Sequence, residues 1–135
     1  VVSEYGMSSV TDAVAINREL RNAGLLTFRD ELGREMLQPT ECRAFAVADH
    51  QIAHVYLSDM DASERAEVAN RLRAVDGIDR VLGADEMDSI GLRHERSGDL
   101  LAISDKDRWF SYDWWLDEAR APDYARTVDI HRKPG

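Results

Sequence analysis

Apolar residues at helical spacing mark the first element that the sequence predicts. They recur over residues 13–23, after Thr11 or Asp12 as a candidate N-cap, and Gly24 supplies a C-terminal stop. This pattern predicts a helix that packs through one face. The apolar run at residues 25–28 predicts a short strand, and the mixed sequence that follows it has no clean period and receives no assignment.

Two β-prone runs come next. They occupy residues 44–47 and 52–57, and the turn-like pair Asp49-His50 separates them. Because both runs are rich in β-branched and aromatic side chains and lie close together in sequence, they predict a β-hairpin.

A second helix follows the hairpin. Asp61 is its N-cap, with Glu64 in the capping-box position, and Gly77 ends it. The residues on its apolar face are Val68, Leu72 and Val75. Capping signals at both ends and a regular apolar stripe together predict a helix over this segment.

Short elements complete the pattern. Residues 80–82 and 99–104 predict strands, and residues 85–90 predict a helical turn. Five of the chain's ten aromatic residues fall at residues 109–115, a concentration typical of a hydrophobic core.

The predicted fold class is α/β, with an α+β arrangement within this chain. Residues 43–111 form a β-β-α-β lobe inserted into a larger α/β body. The larger body includes residues 1–42, which are predicted to contain the end of a strand, a helix and a second strand. It also includes residues 112–135, where the chain returns from the lobe to the body.

Composition excludes several classes of function. The chain has 135 residues and a net charge of −9, so it repels phosphate backbones and is not predicted to bind nucleic acid. It has no run of eighteen apolar residues and no secretory leader, so no membrane partner is predicted. The single cysteine, Cys42, cannot form an internal disulfide, which favours a reduced, cytoplasmic location.

The two ends of the sequence are abrupt. The chain opens on Val1-Val2 without an initiating methionine and closes on Arg132-Lys133-Pro134-Gly135. We expect a piece of a longer protein, with a mature terminus after processing as the alternative.

Generic catalytic motifs are absent from the sequence, which has no phosphate loop and no zinc or nucleophile-elbow signature. Asp49 and His50 form the tightest carboxylate-imidazole pair, with His54 four residues on. A turn aspartate, a surface histidine and a strand histidine are the expected roles, and a cleft-facing or metal-ligand role is the alternative. Glu4 and Tyr5 lie at a predicted strand exit, where α/β sheets collect ligands.

Four segments resemble one known family. These are Ser3-Glu4-Tyr5-Gly6-Met7, the Ile16-Asn17-Arg18 helix with Gly24 ahead of its double leucine, Arg96-Ser97-Gly98-Asp99, and the terminal stretch around His131. In this order they resemble landmarks of the nucleotide pyrophosphatase/phosphodiesterase branch of the alkaline phosphatase superfamily. Its strand-end motif is Ser-Asp-His-Gly-Met.

The resemblance implies a site with two divalent metal ions, usually zinc, that activate a Thr or Ser nucleophile and hold the phosphoryl oxygens of a small phosphate ester or nucleotide-like substrate. Glu4 then stands where an aspartate binds one metal, Tyr5 where a histidine joins it, and His131 where a histidine binds the other. The nucleophile belongs upstream of Val1, so no catalytic residue is expected within this chain.

Two positions depart from the family motif. Glu4 keeps a carboxylate with a longer reach, whereas Tyr5 replaces an imidazole with a phenol, a poor zinc ligand unless it is ionised. Three alternatives follow: a different metal such as manganese or iron, a site with one metal, or a degenerate site.

Two functions remain open on the sequence. The first is the C-terminal portion of a phosphodiesterase or pyrophosphatase, inactive alone, that supplies metal ligands and a cap over the substrate. The second is a non-enzymatic binding or assembly module that uses the β-β-α-β lobe and the aromatic residues 109–115 as its contact surface.

Overall fold

The computed structural model describes residues 9–127. In chain order its elements are β1 (Asp12–Val14), α1 (Ile16–Asn22), β2 (Phe28–Glu31), β3 (Arg34–Leu37), β4 (Ala44–Asp49), β5 (Ile52–Leu57), α2 (Ala62–Arg73), β6 (Ile78–Leu82), α3 (Ala84–Ser89), β7 (Leu100–Ser104), β8 (Arg108–Phe110) and α4 (Asp123–Thr127). Single 3₁₀ turns lie at Pro39–Glu41 and Glu118–Arg120. None of the helices in this part of the chain is long and apolar enough to cross a bilayer.

An antiparallel sheet with the strand order β4-β5-β7-β6 lies at the centre of the fold. Side chains alternate between its two faces. On the face that we call the inner face, Ala46 lies opposite Val55, Val55 opposite Leu100, and Val81 opposite Ala102. All five residues are buried, so the strand register places a continuous apolar layer on one side of the sheet.

Helices α1 and α2 cover the inner face. Ile16 and Leu20 of α1 and Leu72 of α2 are fully buried, and they pack in one cluster with the inner-face residues of the sheet. Burial of each such side chain contributes about 1.5–3 kcal/mol. The two helices and the sheet therefore form a two-layer core.

Asn17 of α1 hydrogen-bonds backbone groups at the edge of the sheet. Its side chain is buried; Nδ2 donates to the Ala46 carbonyl at 2.9 Å, and Oδ1 accepts from the Ala46 N–H at 2.8 Å. Strand β4 is an edge strand, so these two backbone groups have no neighbouring strand. The amide of Asn17 supplies both bonds and closes this part of the edge.

Helix α3 covers only part of the opposite, outer face. Met87 of α3 packs on Leu82 and Leu101, and Ile103 lies beside this small cluster. Over β4 and β5 the outer face carries no helix, and there Phe45 and Tyr56 stack with ring centroids 5.2 Å apart. The two faces of one sheet thus differ in how completely they are buried.

Two smaller strand pairs flank the sheet. Strands β1 and β8 pair in parallel, with Val14 opposite Phe110. Strands β2 and β3 form an antiparallel hairpin whose two turn residues, Leu32 and Gly33, both have positive φ, +53° and +83°. A leucine in the left-handed region carries a steric cost that glycine does not.

Several sequence predictions are confirmed by the structure. The β4–β5 hairpin is present, although its two turn residues are His50 and Gln51 and Asp49 is the last residue of β4. Helix α2 has its complete capping box, with the Asp61 side chain accepting from Glu64 N–H and the Glu64 carboxylate accepting from Asp61 N–H. Elements β6, α3 and β7 also lie where the pattern predicts them.

Two predictions near the start of the described chain were wrong. The first helix begins at Ile16, after Ala15, because residues 12–14 pair with β8 as a strand. The apolar run at residues 25–28 is mostly loop, with β2 beginning at Phe28, and the unassigned sequence beyond it forms the β2–β3 hairpin. Long-range pairing with β8 overrides local propensity at the first of these places.

Candidate functional site

The predicted metal ligands Glu4, Tyr5 and His131 lie outside the described residues, so their roles stay predictions. The same holds for the predicted strand end at Val1-Val2. Over residues 9–127, no group of three or more His, Cys, Asp and Glu side chains is arranged to hold a metal ion.

Asp49 and His50 lie at the turn end of the β4–β5 hairpin. His50 has a φ of +54°, and its Nδ1 lies 2.8 Å from Asp49 Oδ1. Both side chains are more than two-thirds exposed. His54 lies further along β5 and makes a different contact, in which its Nδ1 accepts from the Gly98 N–H at 3.2 Å. The three residues predicted as a possible cluster are thus engaged in two separate interactions.

The turn at residues 96–99 is held to β5 by several hydrogen bonds. Asp99 accepts from the Leu57 N–H at 2.8 Å through Oδ2 and forms an ion pair with Arg65 of α2 through Oδ1. The Tyr56 hydroxyl donates to the Arg96 carbonyl at 3.0 Å. One aspartate therefore joins the turn to both the sheet and the start of a helix.

Gly98 explains how closely this turn approaches the sheet. A Cβ atom at this position would lie 2.7 Å from both the N and the O of Val55, closer than a side-chain carbon can come to backbone. Any other residue would force the turn away from β5 and strain the bonds of Asp99 and His54. We call residues 93–99 the clamped turn.

A cleft of about 810 Å³ opens between the clamped turn, the start of α2 and α3. Leu57 and Met87 lie at its apolar side, and Arg65, Arg93, His94 and Asp99 supply charged and polar groups. The Arg96 N–H donates to His94 Nδ1, which leaves the proton of a neutral imidazole on Nε2. The cleft combines an apolar wall with a few polar groups, an arrangement suited to binding a small molecule.

A buried carboxylate, that of Glu35, joins the β2–β3 hairpin to α1 and to residues 114–120. Glu35 of β3 is 2% exposed; it forms ion pairs with Arg21 of α1 and with Arg120, whose Nε lies 2.7 Å from Oε1. The Trp114 indole N–H donates to the Glu35 carbonyl at 3.2 Å, and Arg21 donates to the Trp114 carbonyl at 3.0 Å. This network, which we call the Glu35 network, fixes the segment that leads towards the end of the chain.

Shifted pKa values mark three groups. Burial raises the pKa of the Cys42 thiol, so Cys42 is protonated at neutral pH and is not an activated nucleophile. The Arg43 guanidinium holds the pKa of Glu64 below its usual value, and the hydrogen bond from the Asp61 N–H adds to this effect. Burial raises the pKa of Tyr124. None of these groups lines the cleft beside the clamped turn.

Sequence reasoning missed Glu35 and the structural role of Asn17. A lone glutamate among alternating charges in residues 29–38 carries no signal of burial, because its partners Arg21 and Arg120 come from distant segments. Gly98 and Asp99 were found, but only through their resemblance to a family landmark and without a physical role.

The elements described above define a mixed α/β chain whose fold matches part of a solved hydrolase structure. Over residues 1–135 the sequence matches the family described as Type I phosphodiesterase / nucleotide pyrophosphatase, and the chain belongs to this family. Members of this family are metal-dependent in general. A comparison with curated proteins gives no match.

Two solved structures resemble this chain. Phosphonoacetate hydrolase from Sinorhizobium meliloti 1021 in complex with phosphonoformate is 22% identical with a TM-score of 0.51, and the match covers 82% of this chain and 25% of that one. The same enzyme in complex with phosphonoacetate is 27% identical with a TM-score of 0.45, covering 53% of this chain and 20% of that one. The chain therefore spans about a quarter of the length of the phosphonoacetate hydrolase that it matches.

Proposed function

We propose that this chain is a portion of a metal-dependent phosphohydrolase of the phosphodiesterase or nucleotide pyrophosphatase type. The observation that carries the proposal is the family match, which runs over all 135 residues and includes every segment of the chain. The chain contributes metal ligands from its two ends and a substrate-access lobe from its middle. The nucleophile comes from a part of the protein that precedes this sequence.

The proposed metal ligands are Glu4, Tyr5 and His131. A carboxylate and an imidazole suit zinc or manganese, whereas a phenolate oxygen favours a harder ion such as iron. When bound, such an ion supplies Lewis-acid polarisation of a phosphoryl oxygen. The donor set of this chain therefore fits manganese or iron better than zinc, and Tyr5 is the residue that decides between them.

The proposed substrate-access lobe is residues 43–111. The sheet and α2 make it rigid, and the clamped turn with its cleft of about 810 Å³ gives it a surface suited to a small ligand. The phosphonoacetate hydrolase that this chain resembles is seen with two small phosphonates. A small phosphate ester or phosphonate is accordingly the substrate class that we propose.

The aromatic residues weigh against the alternative of a binding module. Trp114 and Trp115 are 7% and 6% exposed and pack edge to face with each other. Of the five aromatic side chains at residues 109–115, Tyr112 is exposed and Trp109 is half-buried. The aromatic run therefore serves mainly as core, which leaves little aromatic surface for a partner.

Metal analysis and turnover test the proposal directly. In the longest form of the protein that carries this chain, Glu4→Ala and His131→Ala are each compared with wild type for bound metal and for hydrolysis of a phosphodiester substrate. We expect each variant to lose metal and to lose at least about a hundredfold in turnover, since ligand loss removes the charge that stabilises the transition state.

Matched controls use the same residue types at exposed positions. Glu31→Ala in the β2–β3 hairpin and His50→Ala in the β4–β5 turn should leave metal content and turnover at the wild-type level. Full metal content in both Glu4→Ala and His131→Ala, with folding unchanged, would remove the ligand assignment.

A further inference from the structure

The clamped turn is attached to β5 through an unprotonated imidazole nitrogen. His54 of β5 accepts the Gly98 N–H at its Nδ1, and the two nitrogens lie 3.2 Å apart. A ring nitrogen that accepts a hydrogen bond carries no proton, whereas in a protonated histidine both ring nitrogens carry one. This bond therefore exists only while His54 is neutral, and that requirement holds whatever else packs against the turn.

A second imidazole makes the same kind of bond inside the turn. His94 Nδ1 accepts from the Arg96 N–H at 3.2 Å, and the His94 N–H donates to Ser97 Oγ at 3.1 Å. His94 is exposed and can rotate into water when it is protonated, whereas His54 is half-buried beneath the turn. Both histidines must be neutral for these bonds, and the requirement is stricter at His54.

Gly98 prevents the turn from adjusting to a proton on His54 by moving closer to the sheet. A Cβ atom at residue 98 would lie 2.7 Å from both N and O of Val55, so the turn is already in close contact with the β5 backbone. With His54 protonated, the Gly98 N–H and the Nδ1–H would face each other as two donors without an acceptor. Either the turn lifts or the imidazole rotates away, and in both cases this attachment of Gly98 is lost.

Asp99 attaches the end of the turn without using a histidine. Its Oδ2 accepts from the Leu57 N–H at 2.8 Å, and its Oδ1 forms an ion pair with Arg65 at 2.5 Å. Protonation of an imidazole removes neither bond. Adjacent residues of one turn thus have two attachments, one that depends on a proton and one that does not.

Ionisable groups of both signs surround the two histidines. Those on the same face of the sheet as His54, or in the turn that covers it, are Asp49 of β4, Tyr56 of β5, Arg80 of β6, Arg96 and Asp99. Strand β7 contributes only the apolar Leu101 and Ile103 to this face. The groups that line the cleft around His94 are Arg65 of α2, Asp88 of α3, Arg93, Glu95 and Asp99. Because these charges differ in sign, we assign the response to acid to the lost acceptor at Nδ1 and not to one neighbouring charge.

We propose that the clamped turn is a proton-sensitive latch: protonation of His54, with a smaller contribution from His94, releases residues 93–98 from β5, while Asp99 holds the end of the turn. Of the bonds described above, the one from the Tyr56 hydroxyl to the Arg96 carbonyl is then the remaining direct link between β5 and residues 93–98. The turn forms one wall of the cleft of about 810 Å³, so the latch couples acidity to the shape of that cleft. This inference goes beyond the proposed hydrolase function and does not depend on it.

Amide hydrogen exchange, measured by nuclear magnetic resonance on the 135-residue chain, tests the latch. The protection factor corrects for the intrinsic pH dependence of exchange. At the Gly98 amide it should fall by about tenfold as His54 is protonated between about pH 7.5 and about pH 5, since one hydrogen bond is lost. The ring resonances of His54 report its protonation in the same samples. The Leu57 amide, which Asp99 holds, should keep its protection and is the internal control.

Two substitutions separate the acceptor from the proton. His54→Asn places an amide oxygen where Nδ1 lies and does not titrate in this range, so Gly98 protection should stay high at every pH. His54→Ala removes the acceptor, so Gly98 protection should be low at every pH. His50→Ala, at the exposed histidine of the β4–β5 turn, is the matched control and should keep the wild-type response. Circular dichroism verifies that each variant is folded.

Three results would overturn the latch. The first is constant Gly98 protection in the wild type while the His54 ring is protonated. The second is a full wild-type response in His54→Asn, which would assign the titration to another group. The third is a parallel loss of protection at Leu57, which would mean that the sheet opens and not the turn alone.

Discussion

The four-stranded sheet and the β2–β3 hairpin are joined to the same helix, α1, by different forces. On the sheet side, Ile16 and Leu20 enter an apolar cluster, and the uncharged amide of Asn17 bonds Ala46 of β4. On the hairpin side, Arg21 of the same helix forms an ion pair with the buried Glu35 and stacks over the Phe28 ring at 4.2 Å. One seven-residue helix therefore belongs to an apolar core on one face and to a charged network on another.

The two kinds of contact have different effects: one mainly stabilises the fold, and the other fixes the orientation of the segment that it holds. Apolar burial has no preferred direction, so the sheet core stabilises the fold without fixing how loops leave it. The Glu35 network is directional, because Arg21, Arg120 and Trp114 each contact a specific atom of one residue. The structure places mainly apolar packing under the sheet and charged, directional bonds where the chain turns towards its C-terminal segment.

A large-to-small substitution in the apolar core should change the free energy of unfolding more than any other substitution considered below. Leu72 of α2 is fully buried in the core cluster, and Leu72→Ala should lower the free energy of unfolding by about 3–4 kcal/mol through lost burial and the cavity left behind. Urea unfolding measures the loss, which should change little between 0.05 and 0.5 M salt. Leu32→Ala, at a fully exposed leucine, is the matched control and should change stability by less than about 0.5 kcal/mol. A loss for Leu72→Ala that varies strongly with salt would contradict an apolar origin.

Loss of the buried Glu35 carboxylate should cause the second-largest decrease in the free energy of unfolding. Glu35→Ala leaves Arg21 without its charge partner, and since Arg120 is partly exposed we expect a loss of about 2–3 kcal/mol. The emission of Trp114 and Trp115 should also shift to the red, because their segment loses its attachment to β3. Glu31→Ala, at an exposed glutamate of the same hairpin, should produce neither effect.

Glu35→Gln separates charge from shape at this position. It keeps hydrogen-bonding capacity and removes the charge, so tryptophan emission should stay closer to wild type than in Glu35→Ala. Identical emission in Glu35→Ala and wild type would show that the network does not orient the C-terminal segment.

The smallest expected effect is a pH dependence of the contribution that Glu64, at the start of α2, makes to stability. The folded pKa of Glu64 lies below its ordinary value of 4.5, so its contribution to stability is present above that pH and is lost as the pH falls through the lower folded pKa. The stability difference between wild type and Glu64→Gln should therefore shrink between about pH 5 and pH 3. A difference that stays constant over this range would contradict the assigned role of Arg43.

The sequence predicted the elements whose signals are local. The capping box at Asp61 and Glu64 and the two runs of the β4–β5 hairpin carry their information within a few residues, and all are present. Strand β1 was missed because three residues become a strand only by pairing with β8, 96 residues away. The β2–β3 hairpin was missed because its turn, Leu32-Gly33, lacks the usual Asn-Gly signal.

The candidate site was predictable only in part. His50 was correctly placed in the hairpin turn, whereas Asp49 is the last residue of β4, and the Arg96-Ser97-Gly98-Asp99 motif was recognised by resemblance. Neither the cleft nor the Glu35 network could be predicted, because each depends on side chains from three or more segments that meet only in the folded chain.

The close approach at Gly98 limits which substitutions the clamped turn accepts. Because the backbone of β5 leaves room for a hydrogen atom and nothing larger, this position tolerates no substitution while the lobe keeps its shape. Asp99 is constrained in the same way by Leu57 and Arg65. The shape of the lobe therefore requires Gly98 and Asp99 in itself, whatever chemistry the rest of the protein performs.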